Sequence, residues 1–118
     1  MITKRSIDDG AITEFVMEGE GDVEETIGVI TDNYHSVSQS VLWNLSASNL
    51  SKLTPDDMRR IAAAAKTHAV HEKTAFYGAS DSVFGMLRMY ETHSELEGVP
   101  LKMHVFRDRV EAIEWLQK

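Results

Sequence analysis

A chain of 118 residues with 12 basic and 19 acidic side chains, net charge −7 and 42% apolar residues is sized for one domain with its own core. Its negative field opposes nucleic acid and anionic surfaces, and the absence of cysteine excludes disulfides, thiolate catalysis and cysteine-held metals. No stretch is long and apolar enough to span a bilayer, and the opening MITKRSIDDG has no apolar signal core, so the cytoplasm is expected.

In chain order, MITKRSI and AITEFVME, joined by DDG, are expected to pair as a hairpin. Ile12, Phe15 and Met17 alternate loosely with Thr13, Glu14 and Glu18. EGEGD turns the chain, and Asp22 with Glu25 has the spacing of a capping box ahead of Val23, Ile27, Ile30 and Tyr34. SVLWNLS is a continuous apolar run, as suits a central strand covered on both faces. LTPDD then supplies Thr54 as N-cap, Pro55 at the first helical position and two aspartates against the helix dipole. The stripe Met58, Ile61, Ala62, Ala65 and Ala69 follows, with small residues that permit close approach to a sheet.

KTAFYGA is the next strand. After it ASDSVFGMLRMYETH begins a helix capped by Ser80 or Asp81, with Val83, Met86, Leu87, Met89, Tyr90, His93 and Leu96 expected on one broad inner face. Gly98 and Pro100 stop it. LKMHVF alternates as an edge strand does, and Asp108 opens a last helix with Ala112, Ile113 and Leu116 inward. Strand–helix alternation of this kind predicts α/β: a mostly parallel five-stranded sheet, its N-terminal strand antiparallel, with four main helices in a single domain over 1–118. Ligands of such sheets meet the carboxyl ends of the strands, here Gly19–Asp22, Ser46–Thr54, Ala79–Ser82 and Phe106–Arg109.

No catalytic constellation stands out. GASDSVFG lacks the spacing of a nucleophile elbow, and His93 lies roughly 15 Å along the same helix from the serines. His68 and His71 in HAVHE are three apart rather than four and lack a third ligand; they read as helix-end residues, and no metal is expected. No pair of acids is marked as poised, and the helix starts lack a Walker or dinucleotide loop, so no cofactor is expected. One surface feature remains. Phe84 and Arg88, one turn apart with Gly85 beside them, could form an aromatic and charged rim for a partner; Arg88 paired with Glu91 beside a casually exposed Phe84 is the plainer alternative.

Three segments carry a family resemblance: VLWNLSASNLSKLTPDDMRRIA, FGMLRMYE and VFRDRVEAIEWL. With the order strand, strand, helix and three strand–helix pairs, the chain resembles the SpoIIAA-like family, a STAS or CRAL-TRIO-like domain related to anti-anti-sigma factors. The resemblance implies a non-enzymatic regulatory or interaction module binding a protein or small ligand. Anti-anti-sigma factors carry a phosphorylated Asp-Ser pair with a downstream glycine; the matching SNLSKLTPDD has Ser51 and Thr54 but neither that pair nor the glycine. Asp81-Ser82 with Gly85 mimics the motif one strand later. The expected contact residues are therefore Ser51, Thr54, Ser80, Ser82, Phe84 and Arg88. The CRAL-TRIO likeness implies, as an alternative, a small apolar or lipid-like ligand, with Met17, Met58, Met86, Met89 and Met103 able to line an adaptable pocket. A hydrolase or transferase is disfavoured. A homodimer is expected from the alternating edge strand and the exposure expected of Phe84.

Overall fold

The computed structural model describes residues 1–118. Strands β1 (Ile2–Ile7) and β2 (Ile12–Glu20) form the hairpin, joined by a single 3-10 turn at Asp8–Gly10 whose three residues all have positive φ. Helix α1 (Val23–Asn33) leads to β3 (Ser40–Asn49), α2 (Pro55–His68) to β4 (Lys73–Tyr77), and α3 (Asp81–Glu97) to β5 (Lys102–Phe106); α4 (Arg109–Leu116) closes the chain. The strands lie in sequence order; β1 is antiparallel to β2 and the remaining pairs are parallel, the directions that the sequence predicts.

Sequential strand order has a consequence. Three crossovers of one hand that all step in one direction must lay their helices on one face. The large core lies there: Phe15, Met17, Val41, Trp43, Leu45, Phe76 and Val105 from the strands meet Ile30, Met58, Ile61, Ala62, Ala65, Val83 and Leu87 from the helices. Helix α4 is not one of these crossovers and packs on the opposite face. Its Ala112 and Leu116 cover Ile12, Leu42 and Ala75 in a smaller core. β3 is buried on both faces through Leu45, which is why SVLWNLS reads as continuous rather than alternating.

The helix starts are set by their caps. Asp22 accepts from the Glu25 N–H, but the Glu25 side chain turns to the Ile2 N–H instead of completing the box. Thr54 and Asp57 do complete theirs: Thr54 Oγ1 accepts from the Asp57 N–H and Asp57 Oδ2 from the Thr54 N–H, both at 3.0 Å. Ser80 Oγ accepts from the Val83 N–H, settling the choice between Ser80 and Asp81. The turn from β4 into α3 is close, because a Cβ on Gly78 would strike the Val83 side chain.

Two expectations need correction. Only Val83, Leu87, Tyr90 and Ser94 of α3 are buried, while Met89 is 41% and Leu96 79% exposed. At about 100° per residue, Met89 and Leu96 fall about 120° and 140° from Val83, so the expected inner face is too wide. His71, expected at a helix end, lies three residues beyond α2 and is buried, its ring edge-on to Tyr34 at 4.8 Å.

On the α4 face the largest surprise is Glu14, which is wholly buried. Hairpin register sets Arg5 directly opposite it, and Arg5 Nε donates to Oε1 at 2.7 Å. From the first turn of α4, Arg109 donates twice, Nη2 to Oε1 at 2.9 Å and Nε to Oε2 at 3.2 Å. Asn44 Nδ2 on β3 supplies a further donor at 3.2 Å. Burial by itself would raise the Glu14 pKa, but the hydrogen bonds from Arg109, Arg5 and Asn44 outweigh it and hold the carboxyl below its ordinary value.

Two predictions test these anchors. Thr54→Ala removes one half of the capping box and should cost about 1 kcal/mol in urea unfolding. Glu14→Ala should cost about 3 kcal/mol, the low end for a broken buried pair, because both guanidiniums reach water. A carboxyl whose folded pKa is depressed contributes stability above the unfolded pKa and loses it as pH falls through the folded value. Wild-type stability should therefore drop below about pH 4 more steeply than that of Glu14→Gln, and matching slopes would exclude the ion knot.

Candidate functional site

The carboxyl ends of β3, β4 and β5 point the same way, so the loops that follow them share one end of the sheet. After β3, Ser51 is exposed in a turn, its N–H donating to Asn49 Oδ1, and Thr54 is committed to its cap. After β4, Ser80 is likewise committed, and Ser82 is exposed in the first turn of α3. The six expected contact residues thus fall into two groups, Ser51 with Thr54 and Ser80 with Ser82, Phe84 and Arg88. No hydrogen bond or ion pair joins the two groups.

Phe84 is not free. The Arg107 guanidinium lies over its ring at 4.1 Å, leaving Phe84 half-buried. Arg107 Nη1 donates to Asp81 Oδ1 at 2.7 Å and reaches the Ala79 carbonyl at 3.4 Å. Residues from the end of β5 and the start of α3 are thereby tied into one aromatic and charged patch. Arg88 instead pairs with Glu91, Nε to Oε1 at 3.3 Å, as the plainer reading of that helix has it. Arg107 lies in the strand end RDR that the sequence marks as a ligand-facing position, but nothing in the sequence pairs it with Phe84.

An anion has poor prospects between the starts of α1 and α2. Glu20, Asp22 and Asp57 line that cleft with one ammonium, Lys52, already bound to Glu20 at 2.9 Å. Three carboxylates against one spent cation repel a phosphate despite the helix N-termini.

Between the sheet and α1, α2 and α3 lies an apolar cavity of about 50 Å³. Met17, Met58 and Met86 line it, as the apolar-ligand expectation has it, whereas Met89 and Met103 do not. Its polar atoms are few: the Tyr34 hydroxyl accepts from Trp43 Nε1 at 2.9 Å. Burial pushes the Tyr34 phenol well above its ordinary range, the Tyr90 charge adds to this, and the Trp43 N–H opposes it weakly. Burial also pushes Tyr90 up to about 12 and pulls His71 down to about 4. All three side chains are neutral at pH 7, and none is poised as a base. His71 Nε2 bonds Thr74 Oγ1 at 2.7 Å, which ties the loop after α2 to β4.

No family model and no curated protein matches this sequence. Solved structures do match, among them two over nearly the whole chain. An uncharacterised protein of the DUF3478 family with a SpoIIAA-like fold, from Shewanella loihica PV-4, is 17% identical, with 98% of this chain and 92% of that one covered at a TM-score of 0.60. An anti-sigma factor antagonist from Mycobacterium paratuberculosis is 15% identical, with 100% and 96% covered at a TM-score of 0.58. At such identities the likeness is one of architecture, and the architecture of this chain is the SpoIIAA-like fold.

Proposed function

We propose that the chain is a non-enzymatic regulatory module that binds a protein partner at the carboxyl ends of its strands. The observation that carries this reading is the Arg107–Phe84 stack, held by Asp81 and flanked by the Ser80 and Ser82 hydroxyls and by Arg88. Arginine and aromatic side chains are the usual anchors of protein interfaces. An arginine already fixed by a carboxylate loses little further entropy on binding. Ser80 is committed to capping α3, and His93 lies near the far end of that helix. One structure of this fold is an anti-sigma factor antagonist, a protein described by its action on another protein, which favours the same reading. Ser51 and Thr54, at the end of the neighbouring strand, extend the surface.

A second reading, a small apolar or lipid-like ligand, draws on the cavity. Its roughly 50 Å³ is about a third of the ~150 Å³ engineered cavity that accommodates benzene, so an acyl chain would have to spread the helices apart. Methionines make that spreading cheaper, but the volume ranks this reading second. A homodimer belongs to the proposal as well, since β5 ends the sheet with its outer edge unpaired. One native mass spectrum of freshly purified protein addresses both: a retained lipid would promote the second reading, and a single chain's mass would remove the dimer.

The main test uses the protein as bait in cell extract, alongside Arg107→Glu and Phe84→Ala. Arg107→Glu should keep its stability within about 1 kcal/mol, because it alters exposed pairs. Phe84→Ala should cost about 1–2 kcal/mol, since its ring is half-covered. Both should lose the same protein that wild type retains, quantified by mass spectrometry. Equal recovery by all three baits removes the reading.

A further inference from the structure

Helix α3 carries a second row of residues, on the side turned away from its buried stripe. At about 100° per residue, Gly85, Met89, Thr92 and Leu96 fall within an arc of about 60° nearly opposite Val83 and Leu87. All four are exposed, Met89 at 41% and Leu96 at 79%. Their spacing of four, three and four is that of the seam along which two helices pack. Gly85 has no use inside the chain. It lies in regular helix, where glycine is the poorest former after proline, and a Cβ built on it would meet nothing within 4 Å. Its bare backbone leaves a notch in the row, where another helix can come close.

Charge decides what fits there. Arg88 and Glu95, seven residues apart, lie along one flank of the row. Arg88 meets Glu91 through Nε alone at 3.3 Å, and its side chain stays 61% exposed. Glu95 is exposed and has no ion pair within the chain. A second α3 laid parallel would set arginine against arginine and glutamate against glutamate. Laid antiparallel, with Met89 beside the partner's Thr92, it sets Arg88 against the partner's Glu95. The same register brings Gly85 against the partner's Leu96, so the most exposed side chain of the row meets the notch. Every contact then occurs twice about a two-fold axis, the self-complementarity that an isologous interface requires.

We infer that α3 is the docking surface for a second copy of this chain, the two helices packed antiparallel along Gly85, Met89, Thr92 and Leu96 and tied by two Arg88–Glu95 pairs. The inference rests on the homodimer of the proposed function and sets its contact on α3 rather than on the outer edge of β5. The seam spans roughly 17 Å at 1.5 Å per residue, which suits an interface of the small, transient class. Two chains of charge −7 also repel one another until salt screens them. The dimer is therefore weak and reversible.

Sedimentation equilibrium of the full chain, from micromolar to millimolar concentration at physiological ionic strength, tests the inference. A monomer–dimer equilibrium is expected. Leu96→Ala should weaken it by about tenfold or more, because a symmetric interface loses the contact twice. Gly85→Leu should weaken it to a similar extent while raising the urea midpoint of the monomer, since the new side chain enters open space and favours the helix. Arg88→Glu and Glu95→Arg should each weaken the dimer, and the double variant should restore it with the signs exchanged. A single chain's mass at every concentration would overturn this inference together with the homodimer. A dimer indifferent to Leu96→Ala and Gly85→Leu, or one that the double variant fails to restore, would overturn the α3 contact alone.

Discussion

A carboxylate removed from water is tolerated only when every lone pair finds a donor, and Glu14 imposes that constraint on three other elements. Arg5 comes from β1, Asn44 from β3 and Arg109 from α4, so one side chain on β2 holds the hairpin, the central strand and the last helix together. The consequence is largest for α4, which has only eight residues and covers its face with few apolar side chains. A helix that short has little stability of its own, and the bidentate Arg109 contact fixes where it begins. Lys73, whose ammonium lies over the Trp115 ring and bonds the Lys118 carbonyl, fixes where it ends.

With α4 pinned, the two faces of the sheet have different tasks. The three crossover helices share a deep core whose volume is set by aromatic contacts, Phe15 stacked on Trp43 at 4.8 Å and Phe76 edge-on to Tyr90 at 5.5 Å. The loops at the strand ends inherit this rigidity. Arg107 follows β5 directly and Asp81 opens α3, so the patch over Phe84 is held by two elements that the core already fixes. That is the condition under which a surface arginine is preorganised rather than merely present.

What the sequence shows and what it hides divide along a physical line. Strand and helix positions follow from local chemistry: the caps at Asp22, Thr54 and Asp108 are where their spacing puts them, that of α3 is Ser80 of the two candidates, and the mostly parallel sheet follows from the alternation. Pairings between distant residues are another matter. Glu14 sits in a strand whose alternation is loose, and an acidic residue there reads as solvent-facing. Half of its environment was still accessible, since a hairpin centred on Asp9-Gly10 sets residues 5 and 14 opposite each other. The other half was not, because Arg109 arrives from 95 residues away. The Arg107–Phe84 stack is hidden for the same reason. His71 is hidden for another: a histidine after a helix reads as a partner for its dipole, and only the packing of Tyr34 and Thr74 around it makes it a neutral core residue.

The two ends of helix α3 carry different chemistry. Its buried stripe, Val83, Leu87, Tyr90 and Ser94, is almost one row, so the flanks are free to carry other chemistry. At the amino end, Asp81 complements the positive end of the dipole and in doing so positions Arg107 over Phe84. At the carboxyl end the helix carries Glu91, Glu95 and Glu97 and no basic residue in its last turn, although that end of a dipole favours cations. Acidic groups placed against the dipole raise the local energy of the helix. Lys66, near Gly98, offsets some of this, and Arg88 offsets some at Glu91.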